Sequence, residues 1–261
     1  MELAYSFAGL VVGLIVGMTG VGGGALMTPI LIVGFGISPA VAVSTDLLYA
    51  AVTKMGGVWP YAKKGLVNWQ VVVAMLIGSI PGSLMTLWWL SGIEEMETLE
   101  HLMNLTLGVS LVLTSIAVFF RNRIRDYLIA LDAPRLKAAG RRWRLPVTSV
   151  AGLILGMLVT LSSVGAGALG TALLILLFPR MTMPMIVATD LVHAVVLTGI
   201  AGAGHWQLGN VDPELLVYLL VGSLPGVYLG AHLGVKLSPK FMQPLMGSLL
   251  LIIGIRFVLA S

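Results

Sequence analysis

Apolar positions in this chain form long unbroken runs, not the alternating pattern of a half-buried strand or the narrow stripe of a soluble helix. They fall at roughly 4–18, 24–36, 40–58, 67–90 and 101–120, then at 146–160, 167–178, 184–201, 213–235 and 240–259. A segment that is apolar on every side belongs in a large core or in lipid, and lipid admits only backbones that satisfy their own hydrogen bonds. The pattern predicts an all-α polytopic membrane protein. A full crossing takes about 20 residues, a length that 24–36 and 167–178 do not reach. Each follows a glycine-rich break, so both are expected as broken or re-entrant half-helices at mid-membrane, within a total of roughly six to ten full spans.

The same landmarks occur twice in the same order, the mark of an internal duplication. Gly9 and Gly13 correspond to Gly152 and Gly156 at an offset of 143. The same offset aligns Thr19-Gly20-Val21-Gly22-Gly23-Gly24-Ala25-Leu26 with Ser162-Ser163-Val164-Gly165-Ala166-Gly167-Ala168-Leu169. At an offset of 144, Thr45-Asp46-Leu47 matches Thr189-Asp190-Leu191, and Gly78-Ser79-Ile80-Pro81-Gly82 matches Gly222-Ser223-Leu224-Pro225-Gly226. The expected organisation is a first transmembrane repeat over 1–120, a basic linker over 121–145 and a second repeat over 146–261.

Charge orients the repeats. Eight of the fifteen Lys and Arg residues lie between Arg121 and Arg144. Basic loops stay cytoplasmic, so this loop is expected inside together with Lys63, Lys64, Arg180, Lys236 and Lys240. The acidic stretch Glu94–Glu100, the Asp212/Glu214 turn and both termini are then expected outside, which gives two inverted-topology repeats in a cell (inner) membrane. All six tryptophans fall near segment ends, as an interfacial belt requires. Met1-Glu2-Leu3-Ala4-Tyr5 carries no basic n-region, so no cleaved signal peptide is expected.

Composition agrees with this picture. Hydrophobic residues make up 58% and charged residues 10%, against about 25% charged in a soluble domain, and the mean hydropathy is +1.01. The net charge of +4 does not point to nucleic acid, because one juxtamembrane loop accounts for it. The absence of cysteine excludes disulfides and thiolate chemistry, and four scattered histidines do not suggest a metal site. No cofactor is expected; the partners are the bilayer and a small solute.

A helix broken inside a membrane frees backbone N–H groups, and a new helix beginning near Gly24 or Gly167 presents them with its positive dipole end. Two such ends across a pseudo-twofold axis make an anion site without arginine. Thr19, Thr28, Ser162, Ser163 and Thr171 are candidate hydroxyl donors there. Gly20-Val21-Gly22-Gly23-Gly24 is not a nucleotide loop, since no Gly-Lys-Ser/Thr follows and no strand precedes.

Asp46 and Asp190 are the other candidates, since intramembrane acids are costly and mark function by default. His193 lies three residues after Asp190, on the same helical face, and Tyr49 takes the equivalent place after Asp46. Proton coupling through Asp46, Asp190 and His193 and structural capping by the aspartates are both open. Lys54, two turns after Asp46, is expected to snorkel to the cytoplasmic interface, and His205 to be interfacial. Pro81 and Pro225 are expected to bend their helices as hinges and to shape a cavity wall.

The Gly-x-Gly-Gly-Gly segment with Pro29, the Ala/Ser-Thr-x-Leu helix, the Gly-x-x-Pro-Gly motif and their repetition resemble the TauE/SafE sulfite-exporter family over nearly the whole chain. The resemblance implies a secondary transporter that moves sulfite-like oxyanions, organosulfonates or other small anions by alternating access between the repeats. It points to Gly22–Ala25, Thr45-Asp46, Gly165–Ala168 and Thr189-Asp190 as the substrate region. With the hydroxyl candidates, the expected substrate-binding set is Thr19, Gly22, Gly23, Gly24, Ala25, Thr45, Ser163, Gly165, Ala166, Gly167 and Thr189. One feature departs from the pattern: aspartate follows each threonine where a small polar residue is expected. Two fixed negative charges repel a dianion, so either a proton neutralises an aspartate and is co-transported, or the substrate carries less charge. A passive anion channel is the alternative. An intramembrane aspartyl protease lacks its Gly-x-Gly-Asp context, because Ser44-Thr45 and Ala188-Thr189 precede the acids.

Overall fold

Each predicted apolar run becomes a helix. A computed structural model describes residues 2–19, 24–93, 95–130, 134–234 and 239–260. The first five helices are α1 (Glu2–Thr19), α2 (Gly24–Pro29), α3 (Pro39–Lys63), α4 (Trp69–Leu90) and α5 (Met96–Ala130). The second five are α6 (Pro134–Ser162), α7 (Ala168–Leu177), α8 (Met183–Gln207), α9 (Pro213–Gly234) and α10 (Pro239–Ala260), with no strand among the described residues. Five segments are long and apolar enough to cross a membrane: Trp69–Leu90, Met96–Arg121, Trp143–Ser162, Met183–Gln207 and Pro213–Gly230.

Local chemistry sets the helix ends. Pro39, Pro134, Pro213 and Pro239 open α3, α6, α9 and α10, where a missing N–H costs nothing. Asn68 Oδ1 accepts the Val71 amide at 3.3 Å to cap α4, and Asp212 Oδ1 accepts the Glu214 and Leu215 amides at 3.0 Å to cap α9. Pro29, which has no N–H, ends α2 as a regular helix, and the chain widens into a π-helical turn over Ile30–Gly34. The basic stretch expected as a loop is helical in its described residues: α5 continues to Ala130 and α6 begins at Pro134. The Arg, Lys, Leu and Ala residues there are strong helix formers, so both helices run on beyond their apolar spans.

Close backbone contact joins the N-terminal five helices to the C-terminal five. A Cβ on Gly9 or Gly13 of α1 would collide with the backbone of Leu219 or Ser223 on α9, and one on Gly222 or Gly226 of α9 with the backbone at Ser6 or Leu10. The second interface repeats this: Gly78 and Gly82 of α4 abut Ser149 and Leu153 of α6, while Gly152 and Gly156 abut Met75 and Ser79. Small residues four apart let backbones approach this closely where lipid offers no hydrophobic drive. Hydroxyls add to the α4–α6 seam, with Ser149 Oγ donating to the Ala74 carbonyl and Thr160 Oγ1 to Ser83 Oγ, both at 2.7 Å.

Two large apolar cores and a small third one around Val67, Val72, Ala188 and Val192 result, and none follows the sequence halves. One large core gathers Val71 and Met75 of α4 with Leu155 and Val159 of α6, Leu174 of α7 and Leu197 of α8. The other gathers Val12 of α1, Met27 of α2, Leu215 and Leu219 of α9, and Met246 and Leu250 of α10. All six tryptophans are exposed, five at or near helix ends and Trp143 at the start of the apolar span of α6. Pro81 and Pro225 also face outward, inside uninterrupted helices, so they line no interior wall. The glycines and serines beside them face inward instead.

Gly78→Leu and Gly222→Leu should each cost at least about 1–3 kcal/mol, by forcing a side chain into facing backbone. Gly56→Ala, where no atom lies within 4 Å of the added carbon, should be neutral or stabilising. Thermal midpoints of the detergent-purified variants, read by loss of the monodisperse peak, check this ordering.

Candidate functional site

Polar side chains are concentrated on α3 and α8, which pack side by side in the interior. Ser44, Thr45, Asp46, Lys54, Thr189, Asp190, His193 and His205 are all buried. Gly202 lies against Leu48, Gly199 against Ala51 and Gly57 against Leu191, so the two helices run antiparallel. In that register Asp46 and Asp190 sit at opposite ends of the shared interface. At 1.5 Å per residue they are roughly 20 Å apart along the axis. The two carboxyls cannot share a proton, which removes the aspartyl protease dyad.

Lys54 lies between these levels. It is only 7% exposed, and its ammonium donates to the carbonyl of Ala166. Snorkelling is overturned: α3 packs against α8 at this depth, and the lysine finds a nearer acceptor than water. The acceptor exists because the chain is broken here. Gly170 N–H bonds to Gly165 O and Thr171 N–H to Gly167 O, so the helical ladder of α7 passes over the Ala166 carbonyl. Ser163, Gly165 and Gly167 hold positive φ angles of 55°, 113° and 139° to make the break, a conformation that suits glycine and strains serine.

The segment from Ser163 to Gly170 passes all three charges. Ser163 lies beside Asp46, whose Oδ2 accepts the Thr28 hydroxyl. Ala166 holds Lys54. Gly170 leaves space for Asp190, since a Cβ there would fall on Oδ1 of that carboxylate. Both aspartates act on Lys54 through space, yet neither closes an ion pair with it. Asp46 Oδ1, Asp190 Oδ1, Ser163 Oγ, Tyr49 Oη and His193 Nδ1 are buried without a hydrogen-bond partner among the described residues. An unsatisfied buried polar atom costs about 1–3 kcal/mol, and five on these two helices and the adjoining break single the region out as the candidate site.

The equivalent residues His193 and Tyr49 face equivalent serines. His193 Nε2 meets Ser79 Oγ at 2.9 Å, and the Tyr49 hydroxyl faces Ser223. The two Gly-Ser-x-Pro-Gly motifs thus place their serines beside the aspartate-bearing helices, while their prolines turn away.

Other expected residues have structural partners. Thr45 Oγ1 accepts the Asp212 amide at 3.1 Å and Thr189 Oγ1 the Asn68 amide at 3.0 Å, so each hydroxyl holds the start of a helix from the other half. Thr171 returns its hydroxyl to Gly167 O within α7 at 2.7 Å, and Ser162 to Leu158 O at 2.7 Å. Gly24 and Ala25 form the first turn of α2, and Thr19 ends α1; Gly22 and Gly23 lie outside the described residues. His205 is fully buried, not interfacial. Its Nε2–H donates to Thr160 O at 2.9 Å, which leaves Nδ1 to accept from Ser44 at 2.9 Å. Lys54 and His205 were both misplaced by the sequence, although the spacing of Lys54 two turns after Asp46 was a legible signal.

His205 is satisfied at both nitrogens, His193 at Nε2 alone. His205→Ala should lower stability by about 1–3 kcal/mol, because it strands Ser44 and the Thr160 carbonyl, and should leave the pH profile of uptake unchanged. Detergent melting and proteoliposome uptake across pH measure the two effects separately.

Known proteins resemble the whole chain. A family model described as sulfite exporter TauE/SafE matches residues 5–257. The probable membrane transporter protein YjnA of Bacillus subtilis (strain 168) is 36% identical over 266 residues, covering 99% of this chain and 100% of that protein. The probable membrane transporter protein YunE of the same organism is 23% identical over 265 residues, covering 96% of this chain and 94% of that protein. No solved structure matches the chain. With a match of this extent and a helical bundle of this kind, the chain belongs to the TauE/SafE family and is a multi-pass membrane transporter, not an enzyme.

Proposed function

We propose that this protein is a secondary transporter of a small anion, a sulfur-containing oxyanion or organosulfonate, driven by protons through alternating access. The observation that carries the reading is the buried charge triad. Asp46 and Asp190 lie at opposite depths of one antiparallel helix pair, with Lys54 between them at a backbone break. An anion needs positive charge in a medium where water is scarce, and here that charge is a lysine supported by the opened start of α7. A proton needs a titratable group with unused hydrogen-bonding capacity. Asp190 Oδ1 and His193 Nδ1, one turn apart on α8, have it.

The transporter is built as two inverted repeats with the basic α5–α6 region cytoplasmic, both termini outside, and α2 and α7 as half-helices. Matched contacts at matched offsets support this: Thr45 with Asp212 and Thr189 with Asn68, Gly13 with Ser223 and Gly156 with Ser79. In this orientation Asp46 lies toward the outer face and Asp190 toward the inner.

Asp190→Asn should abolish the pH dependence of anion uptake while leaving the fold intact. Proteoliposomes with an imposed proton gradient measure this with the radiolabelled monoanions methanesulfonate and isethionate. Wild-type protein should concentrate the anion above its electrochemical equilibrium. A channel cannot, so equilibration without accumulation would replace this reading with a passive pore.

A further inference from the structure

We propose that Lys54 is the group that binds the substrate's negative charge, and that the site takes a monoanion together with one proton and rejects a dianion. The inference rests on the anion-transport reading above and assigns the substrate's charge and the coupling ratio.

The geometry supports it first. Lys54 is a basic side chain buried within the α3–α8 interface, where the 163–167 break supplies the carbonyl that receives it. A backbone carbonyl is a neutral partner and leaves most of the ammonium charge uncompensated. The two carboxylates that compensate it stand off and close no ion pair. A lysine with a structural role would be expected to close one. This arrangement leaves the ammonium without a direct anionic partner among the described residues. Ser163 Oγ, Asp46 Oδ1 and Asp190 Oδ1, all unpartnered, surround the same stretch of chain.

Charge arithmetic fixes the ligand. The charged groups that act on Lys54 are Asp46 from α3 and Asp190 from α8, and His193 of α8 lies within reach of its field. Around them Tyr49 lies beside Asp46, and Thr28, Ser163, Ser79 and Ser223 are hydroxyl neighbours of Asp46, His193 and Tyr49. Two carboxylates and one ammonium sum to minus one, which repels any anion. One proton makes the triad neutral, and a monoanion then restores minus one, the charge of the empty site. A dianion with one proton would leave minus two in the low-dielectric interior. The proton belongs on Asp190, because Asp46 accepts the Thr28 hydroxyl whereas Asp190 packs on Gly170 with Oδ1 unpartnered. Loaded and empty forms then carry the same charge, so the transport cycle moves no net charge.

The test uses methanesulfonate and isethionate as monoanions and sulfoacetate and thiosulfate as dianions. Binding to purified full-length protein is read by thermal shift and calorimetry at several pH values, and transport by current on a solid-supported membrane. Wild-type protein should bind the monoanions at least tenfold more tightly than the dianions, take up one proton per anion bound, and pass no net current. Lys54→Gln should weaken monoanion binding at least tenfold, with Lys54→Arg recovering part of it. Asp190→Asn should bind monoanions independently of pH and turn transport electrogenic, which serves if Lys54→Gln does not fold. Unchanged anion affinity in folded Lys54→Gln would make the lysine structural and overturn the proposal, while leaving anion transport standing. Dianion binding equal to monoanion binding would overturn the charge rule in the same way. No binding of any of the four anions to wild-type protein would remove both this proposal and the reading beneath it.

Discussion

An ammonium group inside a membrane protein must be met by negative charge or by oriented carbonyls, because desolvating it unaided is prohibitive. Much of this structure follows from how Lys54 meets that demand. The α7 ladder skips Ala166 and leaves its carbonyl free. The break that allows this needs positive φ at Gly165 and Gly167, and Ser163 tolerates the same region at a cost. Aspartates above and below the lysine supply the remaining compensation at a distance. Each group would be expensive in lipid alone; together they form a site whose net charge one proton can change.

Holding such a site in register requires a rigid frame. The glycine seams α1–α9 and α4–α6 bring backbones into direct contact, and both link one sequence half to the other. The Thr45–Asp212 and Thr189–Asn68 hydrogen bonds tie the aspartate-bearing helices to the starts of α9 and α4. Packing in this protein therefore follows the mixed cores and not the order of the chain. α3, which carries Asp46 and Lys54, contributes to both cores, while α8 lies in the one built with α4, α6 and α7.

The two halves of the site are similar but not equivalent, and the difference is chemical. Asp46 has the Thr28 hydroxyl; Asp190 has only the space over Gly170, where the first half places Met27. His193 bonds Ser79, while Tyr49 faces Ser223 with its hydroxyl unpartnered. A duplicated scaffold thus carries one carboxyl that accepts a hydroxyl and one that packs on a glycine.

The sequence by itself determined the class of solvent, the helices and the motif positions, because unbroken apolar runs and repeated glycine patterns are local properties of the chain. It also marked Asp46, Asp190 and the 163–167 break, since ionisable groups and clustered glycines stand out in apolar surroundings. Only the tertiary structure decided what those residues face. Gly78 and Gly222 read as parts of a hinge motif, yet they are seams against the opposite half. Thr45 and Thr189 read as ligands, yet their hydroxyls hold helix starts. Lys54 read as a snorkelling residue because lysine usually reaches water when water is near. The α3–α8 packing and a free carbonyl contributed from 112 residues away kept it inside. Partners so distant in the chain leave no periodic trace, and only folding brings them together.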